Sequence, residues 1–311
     1  MRVSVQAAPQ DSASWTSLAR RLQVNGFDAL LVADHPGSGA APWTALGAAA
    51  AVTDSLGLGT YVLNMGVRDP LQVATEAATL NRLAPGRVYL GLGTGHTPDE
   101  WSQVGMERPS PAQRVERLDE ATAAITGLLA GDTVTFVGRH LRLNRARLQD
   151  LPTDSTGAPP VRLTIGGGNR ALLSLAAQRA DVVALSGLGR TLPDGHRHEV
   201  RWTQQALRTQ LDLVSERART AGRSPALEAL VQAVDVTDDR ERAAALWADR
   251  LGIADLQQVL NTPFMLIGTH QQIAGQLRRQ AKQWGITRYV VREQAVDDLA
   301  TVLETLRAGS G

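Results

Sequence analysis

The chain has 311 residues, 43% of them apolar and 20% charged, with a formal net charge of +1. That balance allows a sizeable buried core and gives no field that would draw in nucleic acid or an anionic membrane, so neither is expected as a partner. The absence of cysteine excludes disulfides, thiolate zinc sites, iron–sulfur clusters and cysteine nucleophiles, and Lys282 as the single lysine excludes a Walker A motif and most Schiff-base chemistry.

Met1–Gln6 lacks the apolar run of a signal peptide, and the mainly apolar stretch from Ala40 to Val52 is too short to span a bilayer, so a cytoplasmic protein is expected. In chain order, short β-branched or apolar runs predict strands at Val3–Ala7, Ala29–Ala33, Leu58–Leu63, Val88–Gly91, Val161–Ile165, Val182–Leu185, Leu227–Val234 and Arg288–Val291. Between them, apolar residues recurring every three or four positions predict helices at Ser14–Val24, Leu71–Leu83, Gln113–Leu129, Ala171–Gln178, Trp202–Thr220, Arg240–Arg250 and Ile273–Gln283. Alternating strands and helices imply a parallel sheet, and eight units at this length suit an α/β TIM barrel, with a doubly wound sheet as the alternative. One domain over residues 1–311 is expected, with insertions at about 131–160 and 186–201 beside the C-terminal face.

A barrel draws its working residues from the loops after the strands. The second strand runs into Asp34-His35-Pro36, where an imidazole suited to proton transfer sits beside a carboxylate. The alternative is a turn in which Asp34 accepts backbone hydrogen bonds and His35 fills space. The third strand ends in the polar, kinked run Leu63-Asn64-Met65. The fourth enters Gly91-Leu92-Gly93-Thr94-Gly95-His96-Thr97-Pro98-Asp99-Glu100, which lets backbone approach a ligand but lacks the apolar helix of a dinucleotide fingerprint. The fifth enters Gly166-Gly167-Gly168-Asn169-Arg170 and then a helix, whose free N–H groups and dipole suit a phosphate. His140, His196, His198 and His270 have no metal-ligand spacing, so no metal is expected, and the lack of a G-x-S-x-G elbow disfavours a serine hydrolase.

In order, several stretches resemble the luciferase-like monooxygenase family, in particular its branch of enzymes using the 5-deazaflavin coenzyme F-420. They are Ala19-Arg20-Arg21 to Gly26-Phe27-Asp28, Ala33-Asp34-His35, Arg68-Asp69-Pro70 to Arg87, Gly91–Gly95, Gly138-Arg139-His140, Ile165–Gly168, Ala180-Asp181 and Pro263–Gly268. The resemblance implies a cofactor across the barrel mouth, with its phosphate on the Gly166–Arg170 turn and its ring near Asn64 and Asp34-His35. It also implies a non-proline cis peptide near Leu63-Asn64-Met65. His96 stands where sugar-phosphate dehydrogenases of this family carry a catalytic glutamate, which argues against a glucose-phosphate substrate.

The expected function is therefore hydride transfer between F-420 and an organic substrate. His35 is the proton donor or acceptor, Asp34 orients it or the ring, and His96 is the second catalytic candidate. Leu63, Asn64, Met65, Thr94, Gly95, Asp99 and Gly166–Arg170 are the expected cofactor contacts. An FMN-dependent monooxygenase and a non-catalytic flavin-binding barrel are the alternatives. A homodimer is expected from the resemblance and from the apolar Trp43–Val52 segment.

Overall fold

The computed structural model describes residues 1–157, 159–191 and 198–308. Eight parallel strands form its centre: β1 (Arg2–Gln6), β2 (Ala29–Val32), β3 (Gly57–Thr60), β4 (Val88–Gly93), β5 (Arg162–Gly167), β6 (Val182–Leu185), β7 (Ala226–Leu230) and β8 (Ile286–Arg292). Each pairs with the next in the chain, and Arg2↔Arg288 to Gln6↔Arg292 joins β1 to β8, so the sheet closes into a TIM barrel. Closure leaves no edge strand in the ring.

The runs that form these strands are nearly continuous in apolar residues because both faces are covered. Outward side chains such as Val3, Val5, Leu30 and Leu90 join the helices in one core, while Leu31, Tyr61, Tyr89, Ala184 and Val290 fill a second, separate cluster. Tyr89 needs space on the neighbouring strand: a Cβ on Gly59 would lie 2.4 Å from the Tyr89 carbonyl oxygen. Helix ends follow their local chemistry. Asp11 caps Ser12–Asn25 by accepting from the Ala13 and Ser14 amides, and Gly26 ends it at φ 73°. Ser110 and Gln113 form a capping box for Pro111–Ala130.

Three departures from the sequence reading concern the mouth. The third strand stops at Thr60 and resumes as Leu63–Asn64, paired with Leu92 and Gly93. The stretch Leu227–Val234 divides: the Gln232 amide turns to the Phe264 carbonyl oxygen at 2.7 Å, and Ala233–Val236 pairs with an unforeseen parallel strand, Met265–Gly268. The Trp43–Val52 segment supplies the helix Pro42–Ala50, which buries Ala45, Leu46, Ala49 and Ala50 in the chain's own core and leaves Trp43 and Val52 partly exposed.

The first insertion is the antiparallel hairpin Val134–Val137 with Arg142–Ala146. It is tied down by Glu120, which accepts from the backbone amides of Arg139, His140 and Leu141 at 2.8, 2.9 and 3.0 Å. The second contains the antiparallel pair Leu188–Thr191 with His198–Val200; residues 192–197, His196 among them, lie outside the described residues. Among the described residues no helix is long and apolar enough to cross a membrane.

Candidate active site

The loops after the barrel strands surround a cavity of about 940 Å³. Its acid–base wall begins after β2. Asp34 is buried and taken up on both oxygens: Arg68 donates from Nε to Oδ2 and from Nη2 to Oδ1, each at 2.6 Å, and the Asn64 amide donates to Oδ2 at 3.0 Å. A bidentate guanidinium–carboxylate pair is strong and directional, and here it locks the end of β2 to the loop after β3. Asp34 therefore does not orient His35, contrary to the expectation from their adjacency.

Glu100 does. The helix Pro98–Ser102 turns this carboxylate inward, where it is 3% exposed. Its Oε1 lies 2.7 Å from His35 Nδ1, and its Oε2 accepts from Asn64 Nδ2 at 2.7 Å. Burial alone would raise the Glu100 carboxyl, but the hydrogen bonds from His35 and Asn64 outweigh it and hold the group below its usual value. An ionised carboxylate only accepts, so Nδ1 of His35 carries the proton and Nε2 is the nitrogen left for the cavity. The bond to Glu100 raises the His35 pKa above 6.5 against the opposing effect of burial; the charge of Asp34 adds to the rise and that of Arg292 subtracts from it. The His96 ring stands edge-on to His35, with centroids 5.8 Å apart.

Two glycines make room for this arrangement. Gly95 has φ 69°, and a Cβ there would lie 2.1 Å from Asn64 Oδ1; a Cβ on Gly66 would meet the Trp101 ring at 2.0 Å. Asn64 is thus seated on Gly95, with its Oδ1 accepting the Gly66 amide at 2.9 Å. The non-proline cis peptide is Tyr61–Val62, at the break between Thr60 and Leu63 and so earlier than Leu63-Asn64-Met65. Both residues line the cavity.

Across the mouth, Gly166, Gly167, Gly168 and Asn169 line the same cavity. Asn169 caps the helix Arg170–Arg179 by accepting from the Leu172 amide at 2.9 Å. A Cβ on Gly168 would lie 2.2 Å from the Leu188 carbonyl oxygen, so the turn must present bare backbone. Two further cations, which sequence reasoning missed, join this wall. Arg108 and Arg114 both line the cavity with buried Nε atoms that have no hydrogen-bond partner. Burial and the like charge of Arg108 push Arg114 down to about 10. A buried, unpaired donor is costly, and this pair invites an anion. Their only sequence signal is two arginines flanking Pro109-Ser110-Pro111.

Of the residues expected around the cofactor, Leu63, Asn64, Thr94 and Gly95 line the cavity together with Asp34, His35 and His96. Three do not. Met65 is buried in the core and contributes only backbone, its amide donating to the Gly93 carbonyl at 3.0 Å and its carbonyl accepting from Arg117 Nε at 2.9 Å. Asp99 and Arg170 are exposed on their helices, outside the cavity lining.

The luciferase-like monooxygenase family matches residues 2–262, from the first barrel strand through the helix Leu256–Leu260. The chain belongs to this family. It is an oxidoreductase. It is 35% identical over 256 residues to an F-420-dependent glucose-6-phosphate dehydrogenase of Beutenbergia cavernae, covering 79% of this chain and 69% of that protein. Its fold is similar to that of an F-420-dependent secondary alcohol dehydrogenase solved with an F-420–acetone adduct, with a TM-score of 0.76 and 22% identity over 98% of this chain and 99% of the other. A long-chain alkane monooxygenase is as similar in fold, with a TM-score of 0.76 and 16% identity over 100% of this chain and 92% of the other. Likeness of fold therefore does not separate a dehydrogenase from a monooxygenase.

Proposed function

We propose that the chain transfers a hydride between coenzyme F-420 and an organic substrate, with His35 moving the proton that accompanies it. The observation that carries the reading is the His35–Glu100 pair, held on the wall of a cavity whose far wall is a bare glycine turn at a helix N-terminus.

The residues present fit the cofactor. The cavity is at the upper end of ordinary ligand pockets. The Gly166–Gly168 backbone and the capped helix behind Asn169 suit its phosphate, and the unpartnered Nε atoms of Arg108 and Arg114 suit further anionic groups on its side chain. Tyr61, Val62, Leu63 and Asn64, with Thr94 and Gly95, would flank its ring. When bound, the deazaflavin supplies a carbon that accepts or gives a hydride and reacts poorly with oxygen.

The chain's own part is positioning and proton transfer. As an alcohol carbon loses hydride, the hydroxyl proton passes to His35 Nε2; in the reverse direction His35 returns it to the carbonyl oxygen. Glu100 keeps Nδ1 protonated, so Nε2 is the nitrogen that exchanges. His96 follows Gly93-Thr94-Gly95 in place of the glutamate of sugar-phosphate dehydrogenases, which supports a substrate other than glucose 6-phosphate. Steady-state assays under nitrogen, with oxidised F-420 and secondary alcohols or reduced F-420 and the matching carbonyls, test the reading. Turnover supports it; binding of FMN alone, with turnover that needs oxygen, moves the chain to the monooxygenase reading. The resemblance also leads us to propose a homodimer, which light scattering at micromolar concentration tests.

A further inference from the structure

We propose that Arg292 is the substrate-anchoring residue of this site and that the substrate is a carboxylate, held by Arg292 with its reacting carbon beside His35. The proposal rests on the reading of His35 as the proton-transfer group.

Arg292 is the last residue of β8 and lines the cavity. Its strand partner Gln6 ends β1, which pairs with β2, so Arg292 lies two strands from Asp34-His35 around the ring. The Gly166–Asn169 turn follows β5, three strands away on the other side, and Arg108 and Arg114 follow β4. The mouth thus has two cationic regions, of which only the one after β4 and β5 adjoins the glycine turn. A cofactor reaching from that turn to Asn64 leaves the sector of β8, β1 and β2 for substrate.

The guanidinium of Arg292 has no carboxylate partner among the described residues, unlike Arg68 and Arg288, which are ion-paired. The groups around it are Glu293, which lines the cavity without an ion pair to it, His35 and Tyr61. Gln6 offers no second donor, because its Nε2 is used by the Tyr61 carbonyl oxygen at 2.8 Å. Arg292 keeps part of its surface exposed at the mouth, and the burial of the rest pushes its pKa down. A guanidinium presents its donors as a planar fork that matches a carboxylate in two parallel hydrogen bonds. One such fork with Glu293 beside it suits a planar monoanion better than a phosphate dianion.

Saturation-transfer NMR on the wild-type protein, with lactate, malate and glutarate, their primary amides and inorganic phosphate as probes, reads the site without turnover. The expected result is saturation of at least one carboxylate but not its amide, a Kd raised about tenfold or more in Arg292→Gln, and partial retention in Arg292→Lys. F-420 affinity, followed by fluorescence titration, should change less than about twofold in Arg292→Gln, which also shows that the variant is folded. No carboxylate signal in the wild type, equal signals from acid and amide, or equal affinity in Arg292→Gln overturns the proposal. So does inorganic phosphate binding more tightly than every carboxylate in an Arg292-dependent manner. If the wild type binds no F-420, the F-420 reading fails, while the carboxylate comparison still decides the role of Arg292.

Discussion

Glu100 Oε1 and His35 Nδ1 lie 2.7 Å apart, joining a buried carboxylate to a half-exposed imidazole from a different strand end. The pair fixes the tautomer of His35 and raises its pKa. In Glu100→Gln the charge is lost and the amide oxygen offers Nδ1 only a neutral hydrogen bond, so the His35 pKa falls. Oxidation by a neutral imidazole gains rate as pH rises through that value, so the inflection should move to lower pH in the variant. The plateau rate should fall roughly tenfold or more, because a charge-assisted bond worth about 1.5–3 kcal/mol no longer holds the ring. Titration of the His35 Cε1–H resonance checks the shift without a substrate; an unchanged midpoint would show that Glu100 does not set it.

Removing the imidazole separates chemistry from binding. His35→Ala should lower turnover about 10²–10⁴-fold, the usual worth of general acid–base help, and leave F-420 affinity within a few-fold. His96→Ala, which removes the ring standing edge-on to His35, should cost much less. The comparison of rate and cofactor Kd in the two variants is the check. A His35→Ala enzyme with an unimpaired rate would end the catalytic assignment.

The glycine turn is testable at Gly166. A Cβ there meets Ala184 Cβ at 3.2 Å, a tight fit that a small local shift absorbs, whereas Gly168 is closed by a carbonyl oxygen. Gly166→Asp should fold yet bind F-420 at least about tenfold more weakly, because a carboxylate is placed beside the phosphate at a helix N-terminus. Circular dichroism with a fluorescence titration checks this, and wild-type affinity in a folded variant would move the phosphate elsewhere.

Much of the barrel is legible along the chain because each strand buries both faces and reads as a short apolar run between turns. The misread stretches have physical causes. Apolar character continues through the bend at Val231-Gln232, so Leu227–Val234 reads as one strand although the chain leaves the ring there. Pro42–Ala50 is so short and so rich in alanine that its sequence shows no helical period, and the helix goes unread. The site was legible as a set of strand ends but not as a set of pairs. Adjacency in sequence points to Asp34 as the partner of His35, whereas the fold brings Glu100 from 65 residues away and gives Asp34 to Arg68, 34 residues on. Nothing local encodes such pairings.

Deeper in the barrel, Arg288 bridges the half-buried Asp28 at 2.8 Å and the buried Glu228 at 3.3 Å. Arg288→Met strands the Glu228 charge, while Asp28 keeps Arg2 and the Tyr89 hydroxyl, and should destabilise the protein by about 3–5 kcal/mol. Burial already raises the Glu228 pKa against the pull of Arg288. A carboxyl raised in the folded state contributes stability at pH below its unfolded value and loses it as pH climbs through the raised value. Without Arg288 that rise is larger, so urea unfolding should show a greater loss at pH 8 than at pH 5. Equal losses at the two pH values would mean that Glu228 does not stay buried in the variant.

Cofactor binding combined with anaerobic turnover on the purified chain tests hydride transfer to or from F-420 most directly. Saturable F-420 binding, weaker FMN binding, and a change in F-420 absorbance under nitrogen when a reactive alcohol or carbonyl is added are the expected results. Stoichiometric FMN carried through purification, with turnover that stops when oxygen is removed, would contradict such transfer.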